Sequence, residues 1–433
     1  MTDDCDLTVT CGGLTRSQRP RILLLESGTG SGGSMTFLRD FLVHADLEKV
    51  DPRAGIYYPN SSNTLKEIER LGFPVTYFGF TSPPPTGGKP GIFDRTLRRV
   101  RFVRSLYRIG FRLLRLQLPI AWRVLRYVRR ERIDLVVLNQ DVHYHIAGLL
   151  AAKLAGVPCV CRKAGGIGEA RRLKRALTPW VDLFVSISKA TEADQRGLPG
   201  TKRLLNIYEG VDLTRFAIPA SRESMRKKLA IPLGKKVVAA VSRVAEGKGH
   251  MEFLRMAARV LKRYPDVLFL VVGDQEAGSL MNELRAATRA LHIEESVVFT
   301  GWRDDVPDVM ACVDIFVHCP TTFLEGLGIA CLEAMAMSIP AVVSDNAGLV
   351  DSVQDGVTGF IVPPGDVGAM ADAVTRLLLD ERLCREFGSR ARHRIEQTFD
   401  IAATARQLQE ALLETIPAGH LEPDSRSASV AKR

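Results

Sequence analysis

The chain has 433 residues, more than one ordinary hydrophobic core accommodates, so two domains are expected. Its 46% hydrophobic and 25% charged content suits a globular protein, and no run reaches the roughly 18 apolar residues of a membrane span. The formal charge of +10 is unevenly placed, with thirteen arginines and one acid, Glu131, between Arg95 and Arg132, a density that suits a phosphate-rich partner.

The opening "MTDDCDLTVTCGG" is acidic and lacks the basic start of a secretory signal, so residues 1–19 read as a disordered tail. Eight cysteines are scattered, and Cys159 and Cys161 sit in an apolar run. That favours free thiols in a reducing, cytoplasmic setting over a disulfide framework or a zinc site. "RILLLE" (21–26) is a buried-strand run, followed by the glycine-rich "SGTGSGGS" (27–34) and a helical pattern. The glycine loop lets backbone amides approach phosphates. It is neither G-x-G-x-x-G with its distant acid nor a Walker loop, which argues against a nicotinamide cofactor and a P-loop; taken alone it is a tight turn.

"TSPPPTGGKPG" (81–91) is a loop by composition. In the segment after it, arginines at 101, 104, 108, 112 and 115 run beside Val100, Val103, Tyr107, Phe111 and Leu114 at helical spacing, and a second basic helix follows Pro119. A basic amphipathic helix is a membrane-surface pattern, although a core-packed helix with a solvated face gives the same spacing. "DLVVL", "PCVCR" and "DLFVSIS" complete a first βα series over residues 20–205. A second series, residues 206–398, contains "KKVVAAVS", "VLFLVVGD", "SVVFTG", "DIFVHC" and "PAVVSD". The expected fold is α/β, two doubly wound, Rossmann-like domains facing across a cleft, with ligands outside the carboxyl ends of the strands. A last helix, 399–416, should pack back toward the first domain before a polar tail, 417–433.

In "SRVAEGKG" a strand ends in a loop holding Arg243 and Lys248, a forked donor and a point charge suited to a diphosphate; as readily, these are two solvated cations. "TTFLEGLGIACLEAMA" places Glu325 in a strand-end loop and Glu333 one turn inside the following helix. The amides near Gly328 and Ile329 form an anion-attracting helix start there. Cys331, Leu332, Ala334 and Met335 around Glu333 imply burial, where an unpartnered carboxylate is costly, so Glu333 suits a ribose diol better than solvent.

These stretches, with "SGGSMTFL", "ISKATEAD", "YEGVD", "FTGWRDDVPDVMACVDIFVHC", "PAVVSD" and "DGVTGFIVPPGD", resemble in order the retaining, family-4-type glycosyltransferases of the GT-B fold (glycosyl transferases group 1). The resemblance implies a nucleotide-sugar donor, a UDP- or GDP-sugar, and no further cofactor. It assigns Arg243 and Lys248 to the diphosphate, Glu333 to the ribose and Glu325 to the sugar and its reacting carbon. Gly32 and Gly33 would approach the diphosphate from the first domain, and Gly301 and Trp302 would line the base pocket. The only literal D-x-D is "DCD" (4–6) in the tail, so the two cations replace a metal and the chemistry is expected to be metal-independent. Retention by reaction on one face, the leaving phosphate taking the acceptor proton, is likewise implied by the resemblance.

Two departures stand out. The family histidine of the first domain corresponds to Ala164, leaving Arg162, Lys163, His143 or His145 to meet the acceptor, the two histidines having an equally plain reading as loop residues. Leu327 replaces the usual phenylalanine of Glu-x-Phe-Gly. The resulting expectation is transfer to a lipid-linked or envelope saccharide at the cytoplasmic membrane face, residues 95–132 meeting anionic lipid. The competing readings are a soluble small-acceptor transferase or sugar-nucleotide epimerase, and a non-catalytic membrane- or nucleic-acid-binding protein. Retention of Arg243, Lys248, Glu325 and Glu333 opposes the last, and no nucleic-acid module is present, so no nucleic acid is expected as a partner.

Overall fold

Runs such as Ile22–Leu25, Val136–Leu138 and Val267–Val272 are apolar at every position and buried on both faces, the pattern of strands covered by helices on either side of a parallel sheet. In a computed structural model, which describes residues 19–28, 33–58, 63–79, 116–217, 222–229, 231–274 and 279–418, they form two such sheets. The first has seven strands: β1 (Arg21–Glu26), β2 (Asp51–Ile56), β3 (Val75–Tyr77), β4 (Leu135–Leu138), β5 (Cys159–Lys163), β6 (Leu183–Ser186) and β7 (Leu204–Asn206), in the order β3-β2-β1-β4-β5-β6-β7. The second has six: β8 (Lys236–Val241), β9 (Val267–Val272), β10 (Val297–Gly301), β11 (Ile315–His318), β12 (Ala341–Ser344) and β13 (Gly359–Val362), in the order β10-β9-β8-β11-β12-β13. All described pairings within both sheets are parallel. In each sheet the strand order turns back beside its first strand, β1/β4 and β8/β11, and there the crossovers part to leave a crevice.

The chain crosses between domains twice at one place. Val211 N–H donates to Phe399 O at 2.7 Å, Ile401 N–H to Val211 O at 3.2 Å, and Gly210 is required because a Cβ there would lie 2.4 Å from Ile401 Cα. The helix Ile401–Leu413 then buries Ile401, Ala405, Leu408, Ala411 and Leu412 among Met35, Leu38, Phe41 and Leu42 of the first domain. A further tie is the hydrogen bond of 2.6 Å from Lys189 N–H, at a helix start in the first domain, to Asp351 Oδ2 in the second.

The terminal tails to residue 18 and from 419, Gly32, and the arginine-rich stretch up to residue 115 lie outside the described residues. The second basic helix is Leu118–Arg130, opening on Pro119 and leading into β4.

Candidate active site

The two sheets face each other across a cavity of about 1170 Å³ lined from both domains. Three strand ends of the second domain build one wall. After β8, Lys248 stands between Gly247 and Gly249, with φ of +77° and +82°. Both positions demand glycine for space as well: a Cβ at 247 would lie 2.5 Å from Thr322 Oγ1, and one at 249 only 1.7 Å from Cys319 O. The loop therefore presses against residues 319–323, and Thr321 N–H donates to Gly247 O at 2.8 Å. That contact sets the Lys248 ammonium 3.8 Å from the Phe323 ring centroid and against Glu325 Oε1.

Glu325 is 8% exposed. Its Oε1 also meets His318 Nε2 at 2.9 Å, and its N–H donates to Asn346 Oδ1 at 3.1 Å, beyond the end of β12. Burial pushes the carboxyl pKa up, but His318 and then Lys248 outweigh it and draw it down to about 2. The group is thus a fixed negative charge over the physiological range.

Eight residues on, in the helix Ile329–Ala336, Glu333 is half-buried and also lines the cavity. Burial raises its pKa to about 7 against the pull of Arg215, with Asp40 adding to the rise. Among the described residues it accepts no hydrogen bond. Two carboxylates eight residues apart thus receive opposite treatment, one clamped as an anion and one poised near neutrality.

The helix Ile329–Ala336 begins at Gly328, whose φ is +82°, and no side chain caps it. Opposite stands the start of the helix Gly33–His44 of the first domain. A Cβ on Gly33 would come 3.5 Å from Ile329 Cγ1, filling the gap between the two helix starts. Two positive helix ends facing each other, with Arg243 and Lys248 on the same cavity, make an anion-binding slot. At the far end Trp302 lies 51% exposed beside Gly273, Asp274, Arg303 and Asp304. Gly273 N–H donates to Gly301 O at 3.0 Å, which joins β9 to β10 at that end.

The first-domain wall is built differently. Ala164, Gly165, Gly166, Ile167, Gly168 and Glu169 pass along the cleft after β5, with Tyr144, Gln140 and Asp141 beside them. Arg162 lies below, 1% exposed, with its Nη1 3.1 Å from Asn139 Oδ1, its Nη2 paired with Glu209 and its guanidinium 3.5 Å from the Phe37 ring centroid. Lys163 is fully buried between Asp141 Oδ2 at 2.9 Å and Asp194 Oδ2 at 2.6 Å, and Lys174 meets the same Asp141 oxygen at 2.6 Å.

Residues 221–394 match the model described as Glycosyl transferases group 1, and residues 62–215 that of Glycosyltransferase Family 4. A GDP-mannose-dependent alpha-(1-6)-phosphatidylinositol monomannoside mannosyltransferase of Mycolicibacterium smegmatis is 30% identical over 308 residues, 67% of this chain and 80% of its own. The chain belongs to the family-4-type glycosyltransferases. Another relative, the Escherichia coli UDP-Gal:alpha-D-GlcNAc-diphosphoundecaprenol alpha-1,3-galactosyltransferase, is 25% identical over 308 residues, 67% of this chain and 78% of its own. Anabaena HepE, crystallised with UDP and glucose, superposes with a TM-score of 0.75 over 90% of this chain and 98% of its own. At 23% identity, that likeness concerns the GT-B fold. The protein is therefore an enzyme, a glycosyltransferase that uses nucleotide sugars.

In this transferase Gly33, Arg243, Lys248, Trp302, Glu325, Gly328, Ile329 and Glu333 come together on one cavity, whereas Gly301 stands just behind its lining. None of the four residues expected at the acceptor lines it. Arg162 and Lys163 are consumed by buried ion pairs. His145 is fully buried, neither ring nitrogen has a hydrogen-bond partner among the described residues, and burial pushes its pKa down to about 3. His143 is mostly covered, its Nδ1 3.6 Å from Asp141 and its Nε2 3.7 Å from Glu169. Sequence reasoning passed over His318, Arg215, Tyr144 and Glu169. For His318 a signal existed: it is a polar residue closing an apolar strand whose end points at the cleft.

Proposed function

We propose that the transferase moves a hexosyl unit from a UDP- or GDP-sugar to a lipid-linked or envelope saccharide at the cytoplasmic membrane face, with retention and without a metal. The observation that carries the reading is the slot itself. Arg243, Lys248 and two opposed helix starts surround the space for a leaving diphosphate, so growing negative charge meets preorganised positive charge. Glu333 stands where a ribose diol needs an acceptor, and Trp302 where a base needs a flat apolar surface.

The transition state carries positive charge on the anomeric carbon. Glu325, held ionised by His318 and Lys248, suits a group that stabilises such charge better than one that attacks it. The reaction then runs on one face: the bond from the anomeric carbon to the phosphate oxygen breaks, the acceptor oxygen bonds to that carbon, and the acceptor proton passes to the departing phosphate.

Two relatives are named for lipid-linked acceptors, a diphosphoundecaprenol and a phosphatidylinositol. On the helix Leu118–Arg130 of this chain, Leu118, Trp122, Arg126, Arg129 and Arg130 are exposed, an interfacial aromatic among cations each worth about 1 kcal/mol beside an anionic leaflet. Among the described residues no helix is long and apolar enough to cross a membrane.

The test is a thermal-shift titration with UDP, GDP, ADP and CMP on the wild type and Lys248→Ala. A nucleotide at a hundred times its dissociation constant stabilises by about 2.7 kcal/mol; one diphosphate should do so, with the shift lost in the variant. Unchanged melting with every nucleotide would sink the assignment of the slot. Flotation with phosphatidylglycerol vesicles tests the membrane face, with Trp122→Ala/Arg126→Ala expected to release the protein.

A further inference from the structure

The first-domain wall holds a cluster that the donor does not need. Tyr144 is 45% exposed, its hydroxyl donates to Glu169 Oε2 at 2.9 Å, and its ring centroid lies 3.9 Å from that of His143, the rings tilted by 38°. Gly166 sits among the group: a Cβ there would lie 3.3 Å from Asp141 Oδ2, 3.4 Å from His143 Cε1 and 3.5 Å from Glu169 Oε2. The strap bearing Glu169 takes left-handed turns at Gly166, Gly168 and Ala170, with φ of +64°, +74° and +44°. It is tied down from beneath, for Lys174 Nζ donates to Gly166 O, and Gly168 N–H donates to Asp194 Oδ1 at 3.2 Å.

Lys163, Lys174, Asp141 and Asp194 therefore serve as the strap's foundation, and their charges cancel below the surface. On the cleft beside the strap stand a phenol, the exposed Glu169 carboxylate and the neutral Gln140, with Glu67 also on the lining. Asp141 is 1% exposed, with its Oδ2 on Lys163 and Lys174 and its Oδ1 3.6 Å from His143 Nδ1, so it belongs to that foundation. Arg171, Arg172 and Arg175 follow the strap but are not among the cleft-lining residues. Arg243 and Tyr144 line the same cavity.

We propose that Tyr144 and Glu169 form an acceptor subsite that takes an uncharged sugar ring, its C–H face on the tyrosine and its hydroxyls donating to the Glu169 carboxylate. The proposal rests on the same-face reading above, which requires the acceptor hydroxyl to approach beside the departing phosphate and so beside Arg243. An ionised carboxylate only accepts hydrogen bonds, so it matches hydroxyls and repels a uronate or phosphate at the same place. Tyrosine contributes an apolar face with a polar tip, and carries the same ring over the cleft with or without its hydroxyl.

Saturation-transfer NMR tests this on the full chain saturated with whichever nucleoside diphosphate raises its melting temperature. The probes are methyl α-glucoside, methyl N-acetyl-α-glucosaminide and methyl α-glucuronide. The two neutral glycosides should receive saturation and the glucuronide about tenfold less. Tyr144→Ala should abolish the neutral signal. Glu169→Gln should weaken it by about tenfold, the loss of one charge-assisted hydrogen bond, and narrow the difference from the glucuronide. Both residues are exposed, so an unchanged nucleotide shift in each variant certifies the fold and the donor site. Equal transfer to the glucuronide, neutral binding that survives both substitutions, or no transfer to any probe would overturn the subsite while leaving the donor slot standing. Absence of any nucleotide shift in the wild type would instead remove the donor reading on which it rests.

Discussion

Lys163 and Lys248 occupy similar places, one closing β5 of the first sheet and the other in the loop after β8 of the second, yet their environments are opposite. Lys163 is fully buried between Asp141 and Asp194 and shares the first with Lys174. Lys248 lies on the cavity wall, backed by Phe323 and Glu325. The first holds a strap in position; the second presents charge to the cavity. A cation after a strand thus marks a site only when the neighbouring loops leave it open. In the second domain Gly247 and Gly249 secure that opening, because they alone let the loop close on residues 319–323 without covering the lysine.

The contrast can be broken most forcefully at Arg162. Arg162→Ala strands Glu209 inside the protein, and loss of one partner of a buried pair costs about 3–5 kcal/mol, to be read from urea unfolding midpoints. Arg162→Met with Glu209→Leu should recover most of that loss. A stable Arg162→Ala that merely raised the acceptor KM would return this arginine to the acceptor surface.

Lys248→Ala should do the reverse, lowering kcat by about 10²–10³-fold, the range for one preorganised donor on a developing anion, with much less effect on unfolding. Should turnover stay within a few-fold of wild type, the slot owes its charge to Arg243 and the helix starts.

His318→Ala should cost less, about 1.5–3 kcal/mol of transition-state stabilisation, because Lys248 still holds Glu325. Its signature is a fall in kcat with an unchanged nucleotide melting shift. A weakened shift would mean that the imidazole serves the nucleotide.

The smallest effect is one of pH. Glu333 has its folded pKa raised from 4.5 to about 7, so its contribution to stability is fully present below 4.5 and is lost as pH rises through about 7. Two ribose hydroxyls require an acceptor, so nucleotide affinity should climb as pH passes from 6 to 8, and Glu333→Gln should flatten that rise. A pH-independent affinity in the wild type would show that Glu333 does not bind in its ionised form. Glu325, lowered to about 2, carries the opposite sign: its stabilisation is present above 4.5 and is lost only as pH falls through about 2.

Much of this was legible in the chain because it is local. Alternating apolar runs and helical patterns determined two parallel sheets, since strands buried on both faces need no partner to be named. The order of "SRVAEGKG", "FLEGLGIACLEAMA" and their companions determined the family and gathered one wall of the cavity, because those residues stand at the ends of strands whose direction the sequence already implies. The apolar flanks of Glu333 announced its burial. What only the tertiary structure decided was which charges remain free. Asp141, Lys163, Lys174 and Asp194 meet from four separate segments, and Arg162 finds Glu209 across 47 residues. His318 meets Glu325 because β11 ends where the next loop folds back. Burial and pairing are sums over distant neighbours, so a lysine's neighbours in sequence say little about whether it ends in an ion pair or facing a ligand.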